Sequence, residues 1–438
     1  MHTLLLTLLF LVPGNLSAQV SGGDSLTLEQ VWNIVDSGNR QLKLSELMRS
    51  ESVTDVEIAK SDRLPSLDVS GNVVNNSKFR IYTNGLFSTP DYFAVSKYGY
   101  AFGYSFNLNV YEGGKYNRNI HIKREESLRQ QNEYDLQRNN MHYSVAIVFY
   151  DLYKFLQFRD FLSAEIAAEK KQLQTIESFY RNGTVLKSDV LRSQVKLSQQ
   201  ELSLSYLNKQ IKVASQRLNI LMAKGNGDSV AIVYRDSTHA EINVKGNYMD
   251  YVELALFKSP AYKITLNDVN LANLNIKQVK ANILPKISLF SYYNYTYPQV
   301  SYYPYSNDLW AFGQTGLKVT FPLDNLYRNK HLRAKAKTES AQQTERVRIK
   351  QDELTIDIKE AYLEYQQAAE AVKSAQENIE QNTESLRVIR NSYLSQESLL
   401  IDLLDAENTL LESKFSLTSA IVNLRLSHVR LLAKTGIL

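Results

Sequence analysis

The sequence predicts a duplicated α+β membrane protein, each half reading short helix, two β-strands, long helix, short helix. Three observations carry this reading. First, a helix–turn–helix pattern occurs twice at one offset: Tyr393 and Asp402 lie 213 positions after Tyr180 and Asp189. Second, each aspartate opens an apolar seam that recurs every seventh residue. The first runs Val190, Leu197, Leu204, Ile211 and Leu218; the second runs Leu403, Leu410, Leu417, Leu424 and Leu431. That spacing keeps one face of a supercoiled helix apolar. Third, between the helices of each half the period drops to two, as in a strand with unlike faces. A repeat at fixed offset outranks any local signal.

In chain order, Leu4 to Val12 is an apolar run too short to span a bilayer. Pro13, Gly14 and the small Ala18 follow it, so residues 1–18 read as a secretory signal peptide. The first repeat then occupies 19–225. Leu28, Val31, Trp32 and Val35 have helical spacing, and a helix is expected from Leu26 to Arg63 with Thr27 as its cap. Leu64-Pro65 stops it, because a residue before proline is pushed out of the helical region.

Strands are expected over about 66–76 and 98–110. In the second, Tyr98, Tyr100, Phe102, Tyr104, Phe106, Leu108 and Val110 alternate with small or polar residues. Lipid outside and water inside demand such a pattern over at least about 9–11 residues. Glu112-Gly113-Gly114 breaks the strand, and a helical pattern runs from Lys115 to Arg181, on the order of 100 Å at about 1.5 Å per residue. A tip at about 181–188 and a return helix, Leu186 to Lys224, complete the repeat. Residues 226–247 form a linker with a β-like run from Val230 to Tyr234.

The second repeat, 248–438, retraces this path. Tyr248 to Ile283 is helical, and Leu284-Pro285 stops it 220 positions after Leu64-Pro65. Strands follow over about 286–297 and 309–321, then a long helix from about Arg328 to Tyr393 and a tip at about 394–400. In the last strand the large residues move from even positions (Trp310, Phe312) to odd ones (Leu317, Val319, Phe321) around Gly313 and Gly316. This predicts a bulge there or an exit from the membrane. The offset falls from 220 to 213 between stop and tip, and the connection between the second pair of strands is the expected place of the loss.

Composition narrows the function. With 50 Lys and Arg against 46 Asp and Glu the net charge is +4, and no dense basic tract suggests nucleic acid. Cysteine is absent, which excludes disulfides, thiolate metal sites and a lipidated cysteine. No nucleophile elbow, phosphate loop or zinc-protease motif occurs, so neither catalysis nor a cofactor is expected. His121 and His331 lack ligand spacing and read as surface residues, so no metal site is expected. Four strands cannot close a barrel, since about eight is the working minimum, and open edges are not tolerated in lipid. Two, three or four identical chains must therefore share one barrel. The competing reading is an elongated secreted coiled-coil spacer or adhesin, which explains the heptads but not the strands.

The Leu-Pro stops, the YEGGKYNRN and LDNLYRNK joins, both tips and the terminal AKTGIL together resemble the TolC-type outer-membrane efflux family over essentially the whole mature chain. The resemblance implies a homotrimer with a twelve-stranded outer-membrane barrel joined to a periplasmic α-helical coiled-coil tunnel. It implies export of small molecules or polypeptides, through docking with a periplasmic adaptor and an inner-membrane transporter. By the same resemblance Tyr393 and Asp189 match a tyrosine and an acid that hold the gate closed. Asp402 and Asp405 match paired aspartates at the constriction, and their spacing independently lets both point into one lumen. Acids near a helix start also serve simply to offset the helix dipole. Asn182, Gly183 and Thr184, with Ser395, Gln396 and Glu397, are the expected adaptor-docking tips. Ser398 stands where the family often has a gate arginine, and Gln396 where a tip glycine is usual. Tyrosines from Tyr292 to Tyr305 suit an interfacial girdle against outer-membrane lipid.

Overall fold

The structure is a computed structural model that describes residues 25–225, 227, 230–234 and 246–438. The predicted signal peptide and most of the predicted linker lie outside the described residues. The chain folds as two units, one holding the sheet and the helices beside it, the other holding both helical tips.

In the sheet unit, β1 (Ser66–Asn75), β4 (Tyr98–Glu112), β5 (Lys286–Tyr297) and β6 (Trp310–Thr320) form an antiparallel sheet in that order. Facing residues of antiparallel neighbours share a face, so the register sorts the side chains directly. Val69, Tyr104, Tyr293 and Gly313 align across the sheet, as do Leu67 with Phe106 and Leu108 with Leu289 and Leu317. These rows, drawn from all four strands, therefore meet on one largely apolar face. Phe102 stacks on Tyr295 with centroids 4.7 Å apart, and Tyr100 stacks on Tyr297 at 5.1 Å. The other face carries Asp68, Ser70 and Asn72 of β1 beside Ser105, Gly103 and Ala101 of β4. This two-sidedness is what the alternation predicts.

The expected bulge in the last strand is corrected. The register of β5 with β6 is continuous from Lys286↔Thr320 to Thr296↔Trp310. With no extra residue to reset the pleat, Trp310 and Phe312 lie on the polar face, opposite Thr296 and Asn294. The irregularity is instead in β4, where the register slips between Asn109 and Tyr111, so Tyr111 rather than Val110 continues the row opposite Ile287.

The connection from β1 to β4 holds a hairpin that the periodicity does not announce, β2 (Phe79–Ile81) with β3 (Asp91–Phe93). Tyr305, in the loop between β5 and β6, packs edge-on against Phe79 and Phe93, at 4.8 and 5.5 Å. Asn307 ties the two connections, donating to the Ala94 carbonyl and accepting from the Ser96 amide. The later connection has only the bridge between Gln299 and Ser306, so the residues missing from the second half are missing here.

Two expected helices are each broken. The first is α1 (Leu28–Gly38) followed by α2 (Arg40–Ser61). At the break the Asn39 side chain accepts from the Gln41 and Leu42 amides, capping α2. The second is α5 (Tyr248–Lys258) and α6 (Pro260–Lys280), ending in a 3-10 turn over Ala281–Ile283. Pro260 has no N–H to continue α5 but suits the first position of α6. Asn39 and Ser259 are 220 positions apart, so the break is duplicated with the proline stop.

The long helices are α3 (Lys115–Arg181) and α7 (Asn325–Leu394), with return helices α4 (Lys187–Leu221) and α8 (Leu400–Thr435). Before α3, Gly113 takes φ +60°, and a Cβ there would lie 2.8 Å from Cβ of Leu284, so the glycine also makes room for the second Leu-Pro stop. In the sheet unit, Val252 and Ala255 of α5 pack with Ile358 and Ala361 of α7 and Leu431 of α8. The pairs Lys434–Asp357 and Arg430–Glu364 fasten α8 to α7.

Candidate functional site: the helical tips and the contact behind them

Both tips are built alike. In the first, the Gly183 amide donates to the Tyr180 carbonyl and the Thr184 amide to the Phe179 carbonyl, a Schellman ending to α3. In the second, Gln396 donates to Tyr393 and Glu397 to Ser392, the same bonds 213 positions on. The motif needs a left-handed residue at its third corner, and Gly183 takes φ +75° there without strain. Gln396 takes φ +61° with a side chain attached, one of two non-glycine residues with positive φ among the described residues.

The aspartates close the turns. Asp189 accepts from the Leu186 amide at 3.2 Å and Asp402 from the Leu399 amide at 3.0 Å. Each thereby satisfies a backbone donor at the start of α4 or α8 and sits at the positive end of that helix. Asp405 makes no side-chain bond among the described residues and is exposed, as Asp402 is. The expected pairing of Tyr393 with Asp189 takes a weaker form. The Tyr393 hydroxyl is buried without a hydrogen-bond partner among the described residues. Burial first, and the nearby Asp189 charge second, push its pKa above the ordinary phenol value. The ring packs on a small core of Ile176, Leu400, Leu403 and Leu404. Ser398 donates to the Ile389 carbonyl at 3.4 Å, which secures the turn to α7. Asn182, Gly183, Thr184, Ser395, Gln396 and Glu397 are all exposed.

Behind the tips lies a feature that sequence reading missed. Lys196 of α4 reaches Glu169 of α3 at 2.9 Å and Glu407 of α8 at 2.7 Å. The three side chains are only 8, 1 and 4 % exposed, so this is a buried ion triad rather than a surface pair. Arg390 of α7 takes the other oxygen of Glu407 at 3.2 Å. Burial alone would lower the Lys196 ammonium, but the bonds and charges of Glu407 and Glu169 outweigh it and hold its pKa above the ordinary lysine value. Burial raises Glu169 despite its lysine. The signal was present in the sequence. Ser193, Gln200, Leu207 and Ala214 form a second seven-residue seam, buried throughout, whose first turns are polar and include Lys196.

The family model for outer membrane efflux proteins matches residues 33–224 and 252–436. No curated protein sequence matches the chain. Solved structures share its fold at low identity. The outer-membrane channel OprN has a TM-score of 0.76 and 16% identity, over 93% of this chain and 89% of its own. VceC of Vibrio cholerae, an outer membrane protein, has 0.74 and 14%, over 93% and 96%. The open state of the MtrE outer membrane channel of Neisseria gonorrhoeae has 0.72 and 14%, over 93% and 88%. With both halves matched by one family and the folded chain superposing on its channels, this chain belongs to the outer membrane efflux protein family and is an exit duct of the outer membrane with a periplasmic helical part.

Proposed function

We propose that three copies close a twelve-stranded barrel with the apolar sheet face towards outer-membrane lipid, and that the exposed tips dock a periplasmic adaptor fed by an inner-membrane transporter. The observation that carries this reading is the sheet: four strands, one largely apolar face, and edges at β1 and β6 that have no partner strand among the described residues. Such edges cannot stand in lipid and are satisfied when β6 of one copy pairs with β1 of the next. Cyclic symmetry then closes the ring. The cargo is a small molecule or polypeptide selected by the transporter. The chain has no catalytic role and no nucleic-acid partner in this reading.

Asp402 and Asp405 supply the constriction. Both are exposed at the start of α8, three positions apart, and three chains would place six carboxylates around one axis. Two unit charges about 6 Å apart repel by roughly 0.7 kcal/mol in water and more where the dielectric is lower. Such a ring favours cations and binds multivalent ones best. The reading is tested by single-channel recording of full-length protein in planar bilayers. Asp402→Asn with Asp405→Asn is expected to reduce cation selectivity and weaken multivalent block. Unchanged selectivity and block would reduce both residues to helix-start groups. Docking is tested by cysteine cross-linking to a co-expressed adaptor from Thr184 or Glu397, in a chain that has no cysteine of its own. Cross-links only between copies of this chain would defeat it.

A further inference from the structure

The buried triad behind the tips sits where two helical hairpins meet. Lys196 and Glu169 belong to the α3–α4 hairpin, Glu407 and Arg390 to the α7–α8 hairpin, and the Lys196–Glu407 bond joins the two. Glu407 lies five residues after Asp402 on the helix that carries the proposed constriction. A third acid completes the group: oxygens of Glu165, Glu169 and Glu407 all lie within 4.8 Å of one another. Lys196 already bonds two of these acids, so the group holds its own cation and does not read as a vacant metal site. Among the described residues Glu165 has no ion-pair partner of its own. The charges around it are Glu169 on α3, Lys196 on α4, and Glu407 and Lys414 on α8, with Arg390 of α7 on the far oxygen of Glu407.

We propose that Lys196, Glu169 and Glu407 form a clasp that holds α8 against α3 and α4, and that Glu165 makes this clasp proton-sensitive, so that it tightens as pH falls. This rests on the reading of Asp402 and Asp405 as the constriction, whose width then follows the position of α8.

Three physical points support it. A buried ion pair gains little over an apolar contact of the same shape, yet removing one partner strands a charge. The same seam continues as Leu207 and Ala214, so apolar packing was open to the sequence at this level too. What the ions add is a contact whose strength depends on charge. Second, Ser193 Oγ and both amide atoms of Gln200 are buried beside Lys196 without hydrogen-bond partners among the described residues. The closed packing here therefore carries a desolvation cost that separation would relieve. Third, Glu165 repels Glu407 across the α3–α8 contact, and a proton on Glu165 removes that repulsion while leaving both Lys196 bonds intact.

The direction follows from linkage. Burial holds Glu165 and Glu169 above the ordinary carboxylate value while the helices are together. Apart and solvated, both return towards the ordinary value. The closed form thus binds protons more tightly and is favoured as pH falls from above the raised values to the ordinary glutamate value of 4.5. Lys196 acts in the same sense at alkaline pH, because its raised value makes the closed form the better proton binder there as well. Each unit by which Glu165 differs between the two forms shifts their ratio by about tenfold.

The test is resting open probability of the full-length protein in planar bilayers, from about pH 7.5 to about pH 5. The wild type is expected to close several-fold on acidification. Glu165→Gln, which removes no ion pair, should stay near the acid level throughout and lose most of the response. Lys196→Met should raise the neutral open probability and regain closure in acid. If Lys196→Met gives no heat-resistant assemblies, Glu165→Gln decides alone. A Glu165→Gln protein that titrates like the wild type overturns the clasp. Asp402→Asn with Asp405→Asn in the same bilayers separates the two readings. Altered selectivity with an unaffected Glu165→Gln profile defeats the clasp and keeps the constriction. Unaltered selectivity with a flattened Glu165→Gln profile does the reverse.

Discussion

Arginine at Phe102 puts the two faces of the sheet to a direct test. Phe102 lies on the apolar face of an interior strand, facing Gly71 of β1 on one side and stacked on Tyr295 of β5 on the other. A lipid-facing arginine near the bilayer midplane costs about 2–4 kcal/mol. Losing the stacked pair adds about 0.5–1.5 kcal/mol. Together these are roughly 3–5 kcal/mol per chain, and about three times that in a three-chain barrel. Folded domains are stable by only about 5–15 kcal/mol, so Phe102→Arg should abolish the heat-resistant assembly or its insertion. Asn107→Arg is the matched control, because Asn107 sits on the same strand but on the face shared with Ser66. The assay is the fraction of outer-membrane protein that runs as a heat-resistant oligomer. Normal Phe102→Arg assemblies alongside failed Asn107→Arg ones would mean that the apolar face does not meet lipid.

Two glycines of the sheet should part company. A Cβ at Gly103 would lie 2.4 Å from the Tyr293 carbonyl oxygen, whereas at Gly71 its nearest neighbours are 3.7 Å away; Gly103→Val should disrupt β4–β5 pairing and lower assembly yield, while Gly71→Val is tolerated. At the tips, Gln396→Gly should relieve about 1–2 kcal/mol of left-handed strain and lose about 0.5–1 kcal/mol to chain entropy. The net gain should slow hydrogen exchange of the Glu397 amide several-fold, and Gly183→Gln should speed exchange at Thr184; a faster Glu397 amide in Gln396→Gly would refute the strain.

How much of this was legible depends on whether a signal is local. The bounds of α3 at Lys115 and Arg181 coincide with those read from the sequence, because Gly113-Gly114 and Asn182-Gly183 punctuate the helix at both ends. The apolar face of β4 was equally plain, since alternation is a property of one strand. The break at Asn39 was overrun because a single cap residue inside a continuing helical pattern looks like a surface position. The slip in β4 could not be placed from alternation alone, because a bulge is defined by the partner strand. At the tips, Asp189 and Asp402 were found by repetition, and their carboxylates also perform the simpler task of closing a helix start. Lys196 escaped notice for a physical reason. A lysine on a helix is ordinarily solvated, and only the approach of Glu169 and Glu407 from two other helices makes burial of the charge tolerable.

The open edges at β1 and β6 also bear on inheritance. In the proposed three-chain barrel a chain whose edge strands cannot be satisfied alone would have no stable one-copy form in lipid, so insertion and association would be one event. A copy that folds its helices but spoils one edge would still be recruited, and would ruin every barrel it joins. With equal synthesis of sound and defective chains, three per barrel, only about one barrel in eight is free of the defect. Edge-strand lesions in this protein should therefore behave as dominant, whereas lesions that stop the chain from folding at all should be recessive.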